Sequence, residues 1–273
     1  MERAAPPPPQ LLEIAIEVAR GAAATAHRMR TEGVSVAATK STVTDVVTAA
    51  DRAVERQITA ELRRQRPDDA VLGEEYGAAA SGEGPRPRVR WIVDPIDGTV
   101  NYLYGLTHCA VSIAAEVDGE VVAGVVRNIH TDEEWTATAG GGAWRDGRRL
   151  HCSAETDLGQ ALVITGFGYD AARRVHQARV LAELIPQVRD IRRLGAAAVD
   201  LCLVAEGRAD AYYEKGLAAW DQAAGALVAT EAGLRVGGLK GLAPGPEMVV
   251  AAPPALFDAL HDRLAALDAS GGP

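Results

Sequence analysis

The stretch Trp91-Ile92-Val93-Asp94-Pro95-Ile96-Asp97-Gly98-Thr99-Val100-Asn101-Tyr102 holds the residues best spaced for chemistry. An apolar run delivers Asp94 to the end of a strand, Pro95 fixes the backbone, and Asp97 follows three residues later. Two carboxylates with the Ile96 carbonyl between them could hold hard divalent cations through oxygen. Gly98 and Thr99 then lead into a helical turn whose backbone N–H groups could accept a phosphate. The competing reading is an Asp-rich turn that only ends a strand. The spacing departs from the calcium loop D-x-[DN]-x-[DN]-G, which argues against an EF-hand.

Three further acidic groups stand elsewhere in the chain. Gly73-Glu74-Glu75 follows an apolar pair, and alone it reads as a surface turn. Thr48 and Asp51 have capping-box spacing. Asp51 also precedes Val54 and Ile58 by three and seven residues, which turns it toward the inward face, where a carboxylate needs a partner or a cation. Capping and function are both open for it. Asp221 opens an Ala-rich segment as an N-cap or as a ligand. His108, His130 and His151 lack ligand spacing to one another and read as ordinary polar residues.

The elements that must position these groups follow from periodicity. Leu11, Ala15, Val18, Ala22 and Ala26 predict a helix over 10–30, and Val54, Ile58 and Leu62 predict one over 48–65. Residues 33–44, with Lys40, and 78–90 read as loops. Strands are expected at 91–93, 108–117, 121–129 and 133–138. Beyond about 155 the pattern becomes strand 161–165, helix 172–185, helix 195–206, strand 209–213, helix 220–232, strand 248–252, helix 254–267. The helix at 195–206 is apolar nearly all round and should be buried. Gly225 in mid-helix suggests close packing. Thr165-Gly166-Phe167-Gly168-Tyr169-Asp170 reads first as a strand-to-helix turn and second as a pocket wall. The organisation is a mobile Pro-rich segment 1–9, an antiparallel-rich half 10–150, an alternating half 151–268 and a flexible tail 269–273.

The chain has 273 residues and a net charge of −9, a poor footprint for duplex nucleic acid. No apolar run reaches the ~18 residues of a membrane span, and the start lacks a signal core. Cys109, Cys152 and Cys202 fit thiols in a reducing cytoplasm better than a disulfide scaffold.

DPIDGTVNY, GEE, TDVVTAAD and WDQAAGALVATEAG together resemble the signatures of the inositol monophosphatase family, within the magnesium-dependent, lithium-sensitive phosphatases. The resemblance spans roughly residues 10–265. It implies a layered αβαβα sandwich (α+β / α/β) and a homodimer. It further implies Mg²⁺ as cofactor, two or three ions per site with Mn²⁺ as a substitute. Glu74, Asp94 and the Ile96 carbonyl would hold the first ion. Asp94, Asp97 and Asp221 would hold the second, and Glu74 a weaker third through water. Thr99 and Asp51 would orient and deprotonate the attacking water. Gly98 and Thr99 would bind the phosphate. Asp97, Glu214 and the segment Gly195, Ala196, Ala197 would meet the alcohol, and Lys40 would sit on a loop that approaches the metals.

The chemistry agrees with that implication. Phosphate monoesters hydrolyse so slowly unaided that enhancements reach on the order of 10²¹. General acid–base work supplies only ~10²–10⁴. Departures from the family pattern fall at Val100, Tyr102, Ala218 and Leu234, and the last two bear on substrate choice. The expected activity is cytoplasmic hydrolysis of a small polyol phosphate, inositol 1-phosphate foremost. Histidinol phosphate, fructose 1,6-bisphosphate, 3′-phosphoadenosine 5′-phosphate or a specialised sugar phosphate are the alternatives. A regulatory protein-binding role, through Arg189, Arg192 and Arg193, is the rival from another class; no membrane or nucleic-acid partner is expected.

Overall fold

A computed structural model describes residues 5–33, 36–39, 46–79 and 88–272. In chain order its elements are α1 (Pro8–Glu32), β1 (Val36–Thr39), β2 (Val46–Thr48), α2 (Ala49–Gln65), β3 (Ala70–Gly73), β4 (Gly77–Ala79), β5 (Val89–Asp97) and α3 (Thr99–Tyr104). Then come β6 (Ala110–Val117), β7 (Glu120–Asn128), β8 (Glu134–Thr138), β9 (Gly142–Arg145), β10 (Arg148–Arg149), β11 (Leu162–Thr165) and α4 (Ala171–Leu184). The rest are β12 (Asp190–Arg192), α5 (Ala197–Ala205), β13 (Ala211–Glu214), α6 (Ala219–Glu231), β14 (Arg235–Gly237), β15 (Val249–Ala252) and α7 (Pro254–Ala266).

One sheet runs β10-β9-β8-β7-β6-β5-β3-β4, and a second runs β12-β11-β13-β15-β14. In the first sheet only the β3–β5 pair is parallel. In the second, β11 runs parallel to β12 and β13, while β15 pairs antiparallel with β13 and β14. α1 and α2 cover one face of the first sheet, where Leu11, Val54 and Ile58 join Trp91, Val93 and Ile113 in one core. α5 and α6 fill the space between the two sheets. α4 and α7 close the far face of the second sheet, with Leu184, Leu256 and Leu260 against Val163 and Val250. The layers are therefore α, β, α, β, α, as the motifs imply.

β5 is covered on both faces, so Trp91 and Val93 enter one core while Ile92 enters the other. That is why it reads as an unbroken apolar run rather than an alternating one. α5 and α6 are small-residue helices because little room separates the sheets. A Cβ on Gly225 of α6 would stand 3.0 Å from the Ala198 carbonyl oxygen and 3.0 Å from Leu201 Cβ. A Cβ on Gly124 of β7 would meet the α6 backbone at Ala224 Cα, 3.0 Å away.

Several boundaries differ from the periodicity reading. α1 starts at Pro8, so the Pro run enters the helix instead of staying extended. Proline suits a first turn, whose N–H groups have no helical partner. β5 runs past Asp94 to Asp97 rather than ending at 93. The segments 36–39, 190–192 and 235–237 are strands that periodicity missed, because each is too short to show a period. Lys40 lies outside the described residues, as do Thr44 and Asp45.

Gly225→Val should overpack the α5–α6 crossing and destabilise the fold by ~1–3 kcal/mol. Thermal unfolding checks it, and an unchanged Tm would show that the crossing has slack.

Candidate active site

The site begins with a fault in a strand. In the β5–β6 ladder Asp94 pairs with Ser112 and Asp97 pairs with Ala110, so three steps on β5 face two on β6. Residues three apart on a regular strand point to opposite faces. The extra residue, a bulge at Pro95–Ile96, turns Asp97 back to the face of Asp94. Proline is tolerated there because the ladder is already interrupted. The Ile96 N–H donates to Asp94 Oδ1 at 3.0 Å, which fixes the bulge from inside. This face looks toward α6, where the Ser112 hydroxyl donates to the Trp220 carbonyl at 3.4 Å.

Asp221 therefore approaches the pair from the second half of the chain. It is the third residue of α6, not the N-cap, and its Oδ2 accepts the Ala218 N–H at 2.6 Å. Asp97 Oδ2 accepts the Ala198 N–H at the start of α5, 2.8 Å away. Glu74 sits in the turn after β3 and completes the acidic wall. Burial, then the neighbouring Glu74, Asp97 and Asp221, push the Asp94 carboxyl well up. Burial and Asp221 do the same to Asp97, against the Ala198 hydrogen bond.

Asp51 closes the capping box of α2 and is turned inward, as its spacing allows. Its Oδ2 accepts the Thr48 N–H at 2.8 Å and the Thr48 hydroxyl at 2.5 Å, while Thr48 Oγ1 accepts the Asp51 N–H at 3.3 Å. Its Oδ1 accepts the Thr99 hydroxyl at 3.1 Å, and that hydroxyl also stands 3.2 Å from the Ile96 carbonyl. Asp51 is fully buried, and burial raises its pKa against the hydrogen bonds from Thr48. Gly98, at φ 85°, makes the turn between Asp97 and Thr99. A Cβ there would press on Ala196 Cβ and the His108 carbonyl, both 3.0 Å away.

These groups border a cleft of about 470 Å³ lined by Glu74, Asp94, Ile96, Asp97, Gly98, Thr99, Gly195, Ala197, Glu214 and Asp221. Asp51 lies beneath Thr99 rather than on the surface of the cleft, and Ala196 is buried behind Gly98. Phe167, Gly168, Tyr169 and Asp170 also line it, so that segment is a wall as well as a turn, with Asp170 capping α4 at Arg173 N, 2.8 Å. Glu214 closes the far side; burial pushes its carboxyl up to about 7, against a hydrogen bond from the Tyr212 hydroxyl at 2.6 Å.

Sequence reasoning gave no cleft role to Arg173, Arg193 or Asn101, and it took Gly166 only as part of a wall segment. Arg173 and Arg193 line the same cleft as the acids. Asn101 stitches the halves, its Nδ2 donating to the His108 and Leu194 carbonyls at 2.8 Å each. Gly166 leaves room that Glu214 occupies. Asn101 stood inside the quoted motif, and Gly166 inside the segment read second as a pocket wall. The others depend on contacts between distant segments. His108 Nε2 is hydrogen-bonded to Asp200 Oδ1 at 2.7 Å, away from the acidic wall.

The donor set is oxygen alone, which suits magnesium or manganese over zinc. Among the described residues, no three His, Cys, Asp or Glu side chains already enclose a point for an ion. Two nearly fully buried aspartates whose ionisation burial suppresses fit a site that a cation would neutralise.

The model of the inositol monophosphatase family matches residues 8–267. The inositol-1-monophosphatase SuhB of Mycobacterium tuberculosis is 44% identical over 97% of this chain and 96% of its own. The Pseudomonas aeruginosa relative named Nus factor SuhB is 40% identical over 82% of this chain and 83% of its own. Among solved structures, the extragenic suppressor protein SuhB of Bartonella henselae superposes with a TM-score of 0.85 at 34% identity, covering 93% of this chain and 98% of that one. The Mycobacterium tuberculosis SuhB structure gives 0.81 at 41% identity, covering 98% and 100%. The chain belongs to the inositol monophosphatase family. By class it is a phosphatase.

Glu214 yields a pH prediction. Its folded pKa of about 7 lies above the ordinary 4.5, so between those values the native state binds a proton that the unfolded chain has released. Metal-free stability should therefore fall as pH rises from 4.5 through 7, by up to ~3 kcal/mol and by less to the extent that the open cleft screens the charge. Glu214→Gln should flatten that slope in Tm measured against pH; an identical slope would remove Glu214 as its source.

Proposed function

We propose that this protein hydrolyses the monoester of a small phosphorylated polyol, inositol 1-phosphate foremost, with Mg²⁺ as cofactor. The observation that carries this reading is the β5 bulge, which turns Asp94 and Asp97 to one face where Asp221 arrives from α6. Glu74, Asp94 and the Ile96 carbonyl would hold one ion, Asp94, Asp97 and Asp221 a second, and Glu74 a weaker third, with Mn²⁺ as substitute. Bound there, the ions would supply Lewis-acid activation of water and charge stabilisation of the leaving oxygen.

The chain's own residues do the rest. Thr99 Oγ1, held on Asp51, orients the attacking water, and Asp51 accepts its proton through that hydroxyl. A buried carboxylate with a raised pKa is a stronger base than an exposed one, which suits this task. The backbone N–H groups at Gly98 and Thr99 bind the phosphate. Asp97, Glu214 and the backbone at 195–197 meet the alcohol hydroxyls. Arg173 and Arg193 add a positive wall for an anionic substrate.

The reading extends to a cytoplasmic homodimer inhibited by lithium, with the halves 10–150 and 151–268 meeting at the cleft. A second role, in protein binding, is favoured by the name Nus factor of the Pseudomonas aeruginosa relative. The small basic cluster Arg189, Arg192 and Arg193 is its candidate surface.

Phosphate release from inositol 1-phosphate, glycerol 2-phosphate, histidinol phosphate, fructose 1,6-bisphosphate and 3′-phosphoadenosine 5′-phosphate, with Mg²⁺ and with chelator, tests the proposal. The expected result is Mg²⁺-dependent turnover with the highest kcat/KM on inositol 1-phosphate. A different preferred ester would keep the chemistry and change the substrate, whereas no metal-dependent release would overturn both. Asp94→Asn should abolish turnover while the protein stays folded, and Asp51→Asn should lower kcat by ~10²–10⁴-fold.

A further inference from the structure

The turn that carries Glu74 is gripped from below by a second buried carboxylate. Glu55 lies on α2 one turn after Asp51, so both side chains leave the same face of the helix. It is 1% exposed. Its Oε2 accepts the Glu75 N–H at 2.7 Å, and its Oε1 accepts the Tyr76 N–H at 3.1 Å. Each oxygen thus holds one of two successive peptide units just beyond Glu74. Hydrogen bonds to an ionised acceptor are roughly twice as strong as neutral ones.

Gly73 shows what this grip demands of the sequence. A Cβ at Gly73 would overlap Glu55 Oε1 and Cδ. The Gly73 backbone is not left-handed, since it is absent from the positive-φ glycines, so the glycine is there for space and not for torsion. The three residues Gly73-Glu74-Glu75 then divide their tasks: Gly73 admits the carboxylate, Glu75 donates to it, and Glu74 between them faces the cleft.

We propose that Glu55 is a positioning residue that fixes the Glu74 side chain at the mouth of the acidic wall through the Glu75 and Tyr76 peptides, and that Gly73 is glycine because Glu55 occupies its side-chain space. The proposal rests on the reading that Glu74 holds a divalent ion. Groups that orient a metal ligand typically change metal affinity or activity by ~10–100-fold when altered. Glu55→Gln keeps the shape but turns an amide NH₂ toward one of the two N–H donors. Gly73→Ala drives the carboxylate out.

The test is the rise of Tm with Mg²⁺ concentration, which reports affinity for the folded form. It is measured on the full chain as wild type, Glu55→Gln, Glu55→Ala, Gly73→Ala and the Glu55→Ala/Gly73→Ala double variant. Glu55→Gln and Gly73→Ala should each need ~10–100-fold more Mg²⁺ for the same increment. The double variant should be no worse than Glu55→Ala, because the clash partner is gone. A merely structural role predicts a lower metal-free Tm with the Mg²⁺ increment intact, and that result would overturn the proposal. Additive losses in the double variant would overturn the role given to Gly73. Should Gly73→Ala fail to fold, the isosteric Glu55→Gln decides alone. No Mg²⁺ increment in the wild type would overturn the metal reading itself and this proposal with it; an increment that is equal in wild type and Glu55→Gln would overturn this proposal only.

Discussion

Like charges in a nearly closed space govern this molecule. Asp94, Asp97 and Asp221 reach one cleft from two parts of the chain, and Glu74 joins them from a third. Burial strips water from the two aspartates of β5, and neighbouring acids add to the cost of ionising each, Glu74 and Asp97 at Asp94 and Asp221 at Asp97. Such a cluster is unfavourable for folding unless protons or cations neutralise it. A protein that keeps it has a use for a concentrated, oxygen-lined negative field, and a phosphatase of this family is a protein with that use. The field would repel a phosphate dianion, so in the proposed reaction cation binding and substrate binding would be linked.

The fold spends its irregularities on holding that cluster. The Pro95–Ile96 bulge sets two aspartates on one face where a regular strand would oppose them. Asn101 ties the first half to the Leu194 carbonyl of the second. Gly98 turns the chain within contact of Ala196. The middle helical layer does the same on a larger scale, since α5 and α6 each pack on both sheets. Small residues along both helices let the sheets approach closely enough for β5 and α6 to share one site. Hydrogen bonds from α5 and α6 backbone N–H groups partly offset the repulsion, at Asp97 from Ala198 and at Asp221 from Ala218.

Capping and a place at the site coincide at two residues. Asp51 completes the capping box of α2 and still has an oxygen for Thr99. Asp170 caps α4 and also lines the cleft. In both, a helix start supplies rigidity to a short acidic side chain at the cleft or directly beneath it. The two uses therefore do not compete, which is why weighing one against the other from spacing alone had no single answer.

The sequence alone determined the parts of the site that are contiguous: Asp94, Ile96, Asp97, Gly98 and Thr99 lie within a few bonds of one another, and local spacing fixes what they can do. It also determined the long helices, whose apolar period is set by the residues themselves, and the family, because several separated motifs occur in order. It did not determine that β5 continues through Asp94 with a bulge, because pairing with β6 decides that register. Nor did it show that Glu55 fills the space beside Gly73, that Arg173 and Arg193 border the cleft, or that Gly166 makes way for Glu214. Those are relations between residues far apart in the chain. Only the packing of layers brings them within van der Waals or hydrogen-bond range, and forces of that range leave no trace in local spacing.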